Sequence, residues 1–203
     1  MSKIETIEQL RTLYPPAKGL AVDKQLTRLD PHCRRFISLS PFAVLATKGQ
    51  DGLVDISPRG GDPGFILIED DETLLLPDWP GNNRLDNLEN ILADPAISLI
   101  FLIPGVDETL RVHGLAEINT DEALIQQFAI GPKLPKTVLR ISVKEAYLHC
   151  AKALMRSRLW DADAQIERGD LPSIAKMIQD QAGLGGPAES QPDMVARYRK
   201  LLY

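Results

Sequence analysis

What most constrains this chain is a series of short β-type runs at hairpin spacing that begins at Phe42. FAVLAT leads through the turn KGQDG into LVDIS, where Leu53, Asp55 and Ser57 alternate with Val54 and Ile56. FILIED and ETLLLP follow, joined through Asp70 and Asp71, and read as a second hairpin. AISLIFLIP, ETLRVHGLAEI and TVLRISVKEAYLHC supply the remaining strand-like runs. Six or seven antiparallel strands with helices inserted between them predict a mainly β fold with peripheral helices (α+β), a small closed or split barrel and not a parallel βαβ sheet.

Helical signals flank and interrupt these runs. Ile4, Ile7, Leu10 and Leu13 recur at helical spacing, with Ser2 and Glu5 placed as a capping box. VDKQLTRLDPHCRRFISLSP suggests a second helix, in which Asp30 caps and Pro31 takes the first helical position. NNRLDNLENILADP puts Leu85, Leu88, Ile91 and Leu92 on one face and is closed by Pro95. A short helix is expected from Thr120 and Asp121 to about Ala129, where Gly131-Pro132 stops it. LPSIAKMIQDQ and DMVARYRKLLY, separated by GLGGPAESQP, read as a helical tail. With 203 residues the chain is expected to form a single domain: a helical arm over 1–40, the barrel over 41–160 and the tail over 161–203.

Bulk properties narrow the function classes. A net charge of −5 argues against a nucleic-acid partner, which calls for a basic face. No run approaches the length of a membrane span, and MSKIETIEQLRTLYPP lacks the apolar core of a leader, so a cytoplasmic location is expected. Cys33 and Cys150 stand far apart without metal-ligand spacing, which supports neither a disulfide framework nor a metal site.

Two polar stretches invite an anion. Ser57-Pro58-Arg59-Gly60-Gly61 is expected to end a strand in a turn that combines a hydroxyl, a guanidinium and two flexible glycines. Arginine offers fork-shaped donors to phosphate oxygens, and glycine lets a ligand approach the backbone. Pro77-Asp78-Trp79-Pro80-Gly81-Asn82-Asn83-Arg84 leads from a strand into a helix start, with Arg84 and Asn87 expected on one face. Each stretch also reads as ordinary surface: a turn with a solvated arginine, and a helix capped by Asn82.

The order ISPRGG, then LLLPDWPGNNRLDNLENILADPAISLIFLIPG, then LRVHGLAEI resembles the FMN-binding split-barrel flavoproteins related to pyridoxamine 5'-phosphate oxidase. The likeness spans about residues 35 to 160. It implies that Arg59, Gly60, Asn82, Asn83, Arg84 and Asn87 hold the FMN phosphate and ribityl chain, that Ser57, Pro77 and Asp78 border the flavin, and that the site lies at a homodimer interface. YLHCAKALMRSRLW resembles the ending of a subgroup without an assigned reaction. Lys152 and Arg156, four residues apart, would there form a positive patch near the flavin N1–C2 edge and raise its potential. Pyridoxamine phosphate oxidases carry an Arg-x-x-x-Leu-Lys strand and an Arg-Leu-x-Pro ending where this chain reads DISPRGG and RYRKLLY, so the resemblance carries the FMN site and not the vitamin substrate.

The resulting expectation is an FMN-dependent oxidoreductase acting by hydride transfer on a small molecule, a nicotinamide reductant or an electron-poor ring, with no catalytic side chain identified. Two other readings remain open: a flavin-binding carrier or sensor without turnover, and heme binding through His113 or His149. His149 and Cys150 have no visible partner for acid/base or thiol chemistry.

Overall fold

The computed structural model describes residues 3–202. The N-terminal helices are α1 (Ile7–Leu13), α2 (Leu20–Asp23) and α3 (Pro31–Leu39). The strands are β1 (Phe42–Lys48), β2 (Val54–Gly60), β3 (Leu67–Asp70), β4 (Thr73–Asp78), β5 (Ala96–Leu102), β6 (Thr109–Asn119) and β7 (Thr137–His149). Between and after them lie α4 (Asp86–Ala93), α5 (Glu122–Gln126), α6 (Lys152–Ser157), α7 (Ile174–Gln181) and α8 (Gln191–Leu201).

All seven strands form one antiparallel sheet in the order β2-β1-β5-β6-β7-β4-β3. Alternation along the strands sorts the side chains. Ala43, Leu45 and Thr47 of β1 point inward with Leu99 and Phe101 of β5 and Val112 of β6, and the intervening residues face outward. The inner residues join Cys33 and Ile37 of α3 and Ile91 of α4 in the main core. A smaller cluster of Leu75, Phe128 and Val138 lies at the β4–β7 side. The sheet is strongly curled: Arg59 on the edge strand β2 reaches Asp78 at the end of β4, near the other edge, with Nη1 donating to Oδ1 at 3.0 Å. The mainly β, split-barrel fold is thus hydrogen-bonded continuously from β2 to β3 and left open between β2 and the β3–β4 hairpin.

Several local expectations are corrected. Residues 57–60 do not form a turn, because β2 stays paired with β1 as far as Gly60 opposite Phe42. The pattern over 22–40 splits, with Asp30 starting α3 by accepting a hydrogen bond from the Cys33 N–H. The cap placed at Ser2 lies outside the described residues, and α1 is capped instead by a reciprocal Thr6–Gln9 box. The short helix after Asp121 ends at Gln126, before Ala129. In α4 the inward face is Asn87, Leu88, Asn90 and Ile91, whereas Leu85 and Leu92 are exposed. The apolar count was misleading there because the buried polar partners of α4 attract its asparagines.

Candidate functional site

The open side of the barrel holds a cavity of about 440 Å³ between β2, the end of β4, the 79–85 loop and the start of α4. Strand pairing explains what faces it. Arg59, Ser57 and Asp55 stand opposite Ala43, Leu45 and Thr47, so all three point to the inner side. On an edge strand that side is only half covered, which leaves these polar groups lining a cleft. Across the cleft Asp78 pairs with Thr137, which brings Lys136 and Thr137 of the β7 start to the same cavity.

Hydrogen bonding divides the lining residues into two sets. In the first, Asn87 Nδ2 donates to Thr47 Oγ1 at 2.8 Å and to the Asp55 carbonyl at 3.3 Å. Asn90 Nδ2 donates to the same Thr47 oxygen at 3.0 Å and to Asp55 Oδ2 at 2.7 Å. This buried network fastens α4 to β1 and β2. In the second set the donors are under-used. Arg59 gives one guanidinium nitrogen to Asp78, yet its Nε is buried without a hydrogen-bond partner, and so is Thr137 Oγ1. A buried polar atom left unpaired costs about 1–3 kcal/mol, and both of these belong to residues that line the one cavity.

The 79–85 loop is held by local contacts. Asn82 Oδ1 accepts from the Arg84 N–H at 3.0 Å, and Asn83 adopts a left-handed backbone at φ 59°. Arg84 precedes α4, and its Nε donates to Asp86 Oδ2 at 2.6 Å on the surface. That carboxylate holds the Arg84 guanidinium above its ordinary pKa, first through the hydrogen bond and then through its charge. Arg84 and Asn87 therefore do not share one helix face: Arg84 lies in the loop, exposed, while Asn87 is buried beneath α4.

Of the residues singled out from the sequence, Ser57, Arg59, Asp78, Asn82, Asn83, Arg84 and Asn87 line this cavity together. Gly60 and Pro77 line a neighbouring cavity. Lys152 and Arg156 share α6, both exposed, and line neither cavity. Asp55, Lys136 and Thr137 were not singled out. Alternation placed Asp55 on the same strand face as Ser57 without saying which way that face points, and Lys136 and Thr137 reach the site through a β4–β7 pairing that no local signal marks. His113 sits on the outer face of β6 with Nδ1 2.7 Å from Ser98 Oγ, and neither it nor His149 lines either cavity. Among the described residues no cluster of histidine, cysteine and acidic side chains could hold a metal ion, and no helix is long and apolar enough to cross a membrane.

The family model described as pyridoxamine 5'-phosphate oxidase matches residues 29–150, which contain every strand and the whole cavity wall. No curated protein sequence matches the chain. Among solved structures, HupZ from Group A Streptococcus is 23% identical, with 58% of this chain and 91% of that chain covered and a TM-score of 0.47. A Clostridium acetobutylicum protein related to general stress protein 26, of the pyridoxinephosphate oxidase family, is 16% identical, with coverages of 58% and 85% and a TM-score of 0.46. General stress protein 26 from Bacillus anthracis is 17% identical, with coverages of 58% and 93% and a TM-score of 0.43.

Proposed function

Because the chain belongs to the pyridoxamine 5'-phosphate oxidase family, we propose that it is a flavoprotein which holds FMN in the cavity between β2, β4 and α4 and uses it to oxidise or reduce a small molecule. The observation that carries this reading is the pair of buried, partnerless polar atoms, Arg59 Nε and Thr137 Oγ1, on the wall of one polar cavity. The donor set fits a phosphate and a polyhydroxyl chain. Arg59, Arg84 and Lys136 supply positive charge, and Ser57, Asn82 and Asn83 supply side-chain hydrogen-bonding groups. The cavity volume falls within the roughly 300–1,000 Å³ of small-molecule and cofactor sites.

Within this reading Arg59 anchors the phosphate and Asp78 limits where it can sit. Arg84 offers a surface charge already shared with Asp86, so it steers more than it holds. The Thr47–Asn87–Asn90–Asp55 network keeps α4 and its preceding loop fixed before any ligand arrives, so Asn87 positions the wall. FMN, when bound, supplies a ring able to take up or give a hydride, which is why no acid/base pair of side chains is required. The proposal includes a homodimer and a cytoplasmic location. Lys152 and Arg156 stand away from the cavity of their own subunit, and their proposed place is beside the flavin bound across that dimer.

A flavin carrier without turnover would use the same residues. Anaerobic addition of NADH, NADPH or a chemical reductant to the yellow protein, followed by oxidised small molecules, tests for turnover. Bleaching followed by acceptor-dependent return of colour is the expected result. A flavin that stays oxidised with the nicotinamides and, once chemically reduced, passes electrons to no acceptor would replace the oxidoreductase by the carrier.

A further inference from the structure

We infer that the neighbouring cavity, of about 490 Å³, binds a neutral, planar aromatic molecule, which rests on the flavin reading for its role as the second reactant. Trp79 lines both cavities and so forms a wall common to them. Their chemistry differs sharply. The first cavity carries Arg59, Arg84 and Lys136, whereas among the described residues lining the second Asp62 alone is charged. An anionic molecule entering the second would lose hydration against an apolar wall and meet a carboxylate, with no cation among the described lining residues and with Lys133, at the rim, donating to the Leu202 carbonyl.

The shape of the second cavity follows from its aromatic and proline walls. Phe65, Pro77, Trp79 and Phe128 present flat apolar surfaces, and Phe128 is held from behind by Leu75 and Val138. Phe65 is fixed by a backbone constraint: a Cβ at Gly61 would lie 2.7 Å from Phe65 Cβ, so only glycine lets the ring lie against that segment. An apolar cavity lined by several aromatic side chains favours an aromatic guest in offset or edge-to-face contact. At the rim stand Ile130 and Leu202, both exposed, and the Leu202 carbonyl accepts a hydrogen bond from Lys133 Nζ at 2.8 Å. The end of α8 thus joins the 127–130 segment at the mouth, far from it in sequence.

The test uses coumarin, a neutral two-ring molecule that needs no redox step, and its charged analogue coumarin-3-carboxylate. Binding to the full chain is followed by ligand-observed NMR, with and without FMN, and FMN affinity is measured separately by flavin fluorescence. Coumarin is expected to bind saturably and to remain bound when FMN is added. Ile130→Asp and Phe65→Ala should each weaken coumarin by about tenfold, and the carboxylate should bind at least about tenfold more weakly than coumarin. FMN affinity of the Ile130→Asp protein should match that of the wild type. No saturable coumarin binding by a protein that holds FMN would overturn the inference, as would an affinity indifferent to both substitutions. Competitive displacement by FMN would also overturn it, because the cavity would then belong to the cofactor. Coumarin binding that responds to Ile130→Asp in a protein that takes up no FMN would sink the flavin reading and leave the aromatic site standing.

Discussion

At the scale of single residues, polar partners hidden from the sequence decide what each group does. Asn87 and Asn90 share the Thr47 hydroxyl in a buried network. Replacing Asn87 by alanine should cost about 1–3 kcal/mol in urea unfolding, since it strips partners from buried oxygens. The cysteines separate in the same way. Burial first, then the hydrogen bond and charge of Asp30, push the Cys33 thiol up to about 12, while Cys150 is exposed. A thiol reagent near neutral pH should therefore label one cysteine in the native protein and both after unfolding. Because the folded pKa of Cys33 lies above its unfolded value, its contribution to stability is complete below the unfolded pKa and is lost as pH rises from there towards about 12. Arg59 and Asp78 were both singled out from the sequence, and both line the cavity. Their ion pair was not, because it joins strands that are remote in sheet order.

At the scale of elements, the strands were readable because alternation and turn residues are local signals, and each apolar run from Phe42 onward became a strand. The exceptions are instructive. On β2 the polar residues Asp55, Ser57 and Arg59 face inward while Val54 and Ile56 are exposed, an inversion that periodicity alone could not orient. On α4 the buried side is half asparagine, so the apolar pattern found Leu88 and Ile91 but added the exposed Leu85 and Leu92 and missed Asn87 and Asn90. Two substitutions test the elements themselves. Asp30→Ala removes the cap of α3 and should lower stability by about 1 kcal/mol. Gly114 lies at a register shift in β6, where a Cβ would stand 2.6 Å from the Ser142 carbonyl oxygen. Gly114→Ala should therefore destabilise by about 1–3 kcal/mol, visible as a lowered urea midpoint.

At the scale of the whole molecule, the curled sheet leaves one side open and places two chemically different cavities along that opening. Its outer face carries Val54, Ile56, Phe42 and Leu53, all substantially exposed on or beside the edge strand β2. Such a face suits the proposed homodimer. Ile56→Glu should shift the protein towards monomer in light scattering while leaving the monomer folded by circular dichroism. A wild-type monomer that binds FMN tightly would remove the dimer from the account.

Whether Arg59 and its neighbours form the proposed FMN phosphate site is decided by titrating flavin-free protein with FMN and following the quenching of flavin fluorescence. Saturable binding is expected with a Kd on the order of micromolar or tighter, weakened by Arg59→Ala by about 1.5–3 kcal/mol, the range for a charge-assisted hydrogen bond. Asp78→Asn, which frees the guanidinium from its carboxylate, should keep the site or tighten it. Absence of saturable binding at concentrations far above micromolar, or an affinity identical in the wild-type and Arg59→Ala proteins, would contradict it.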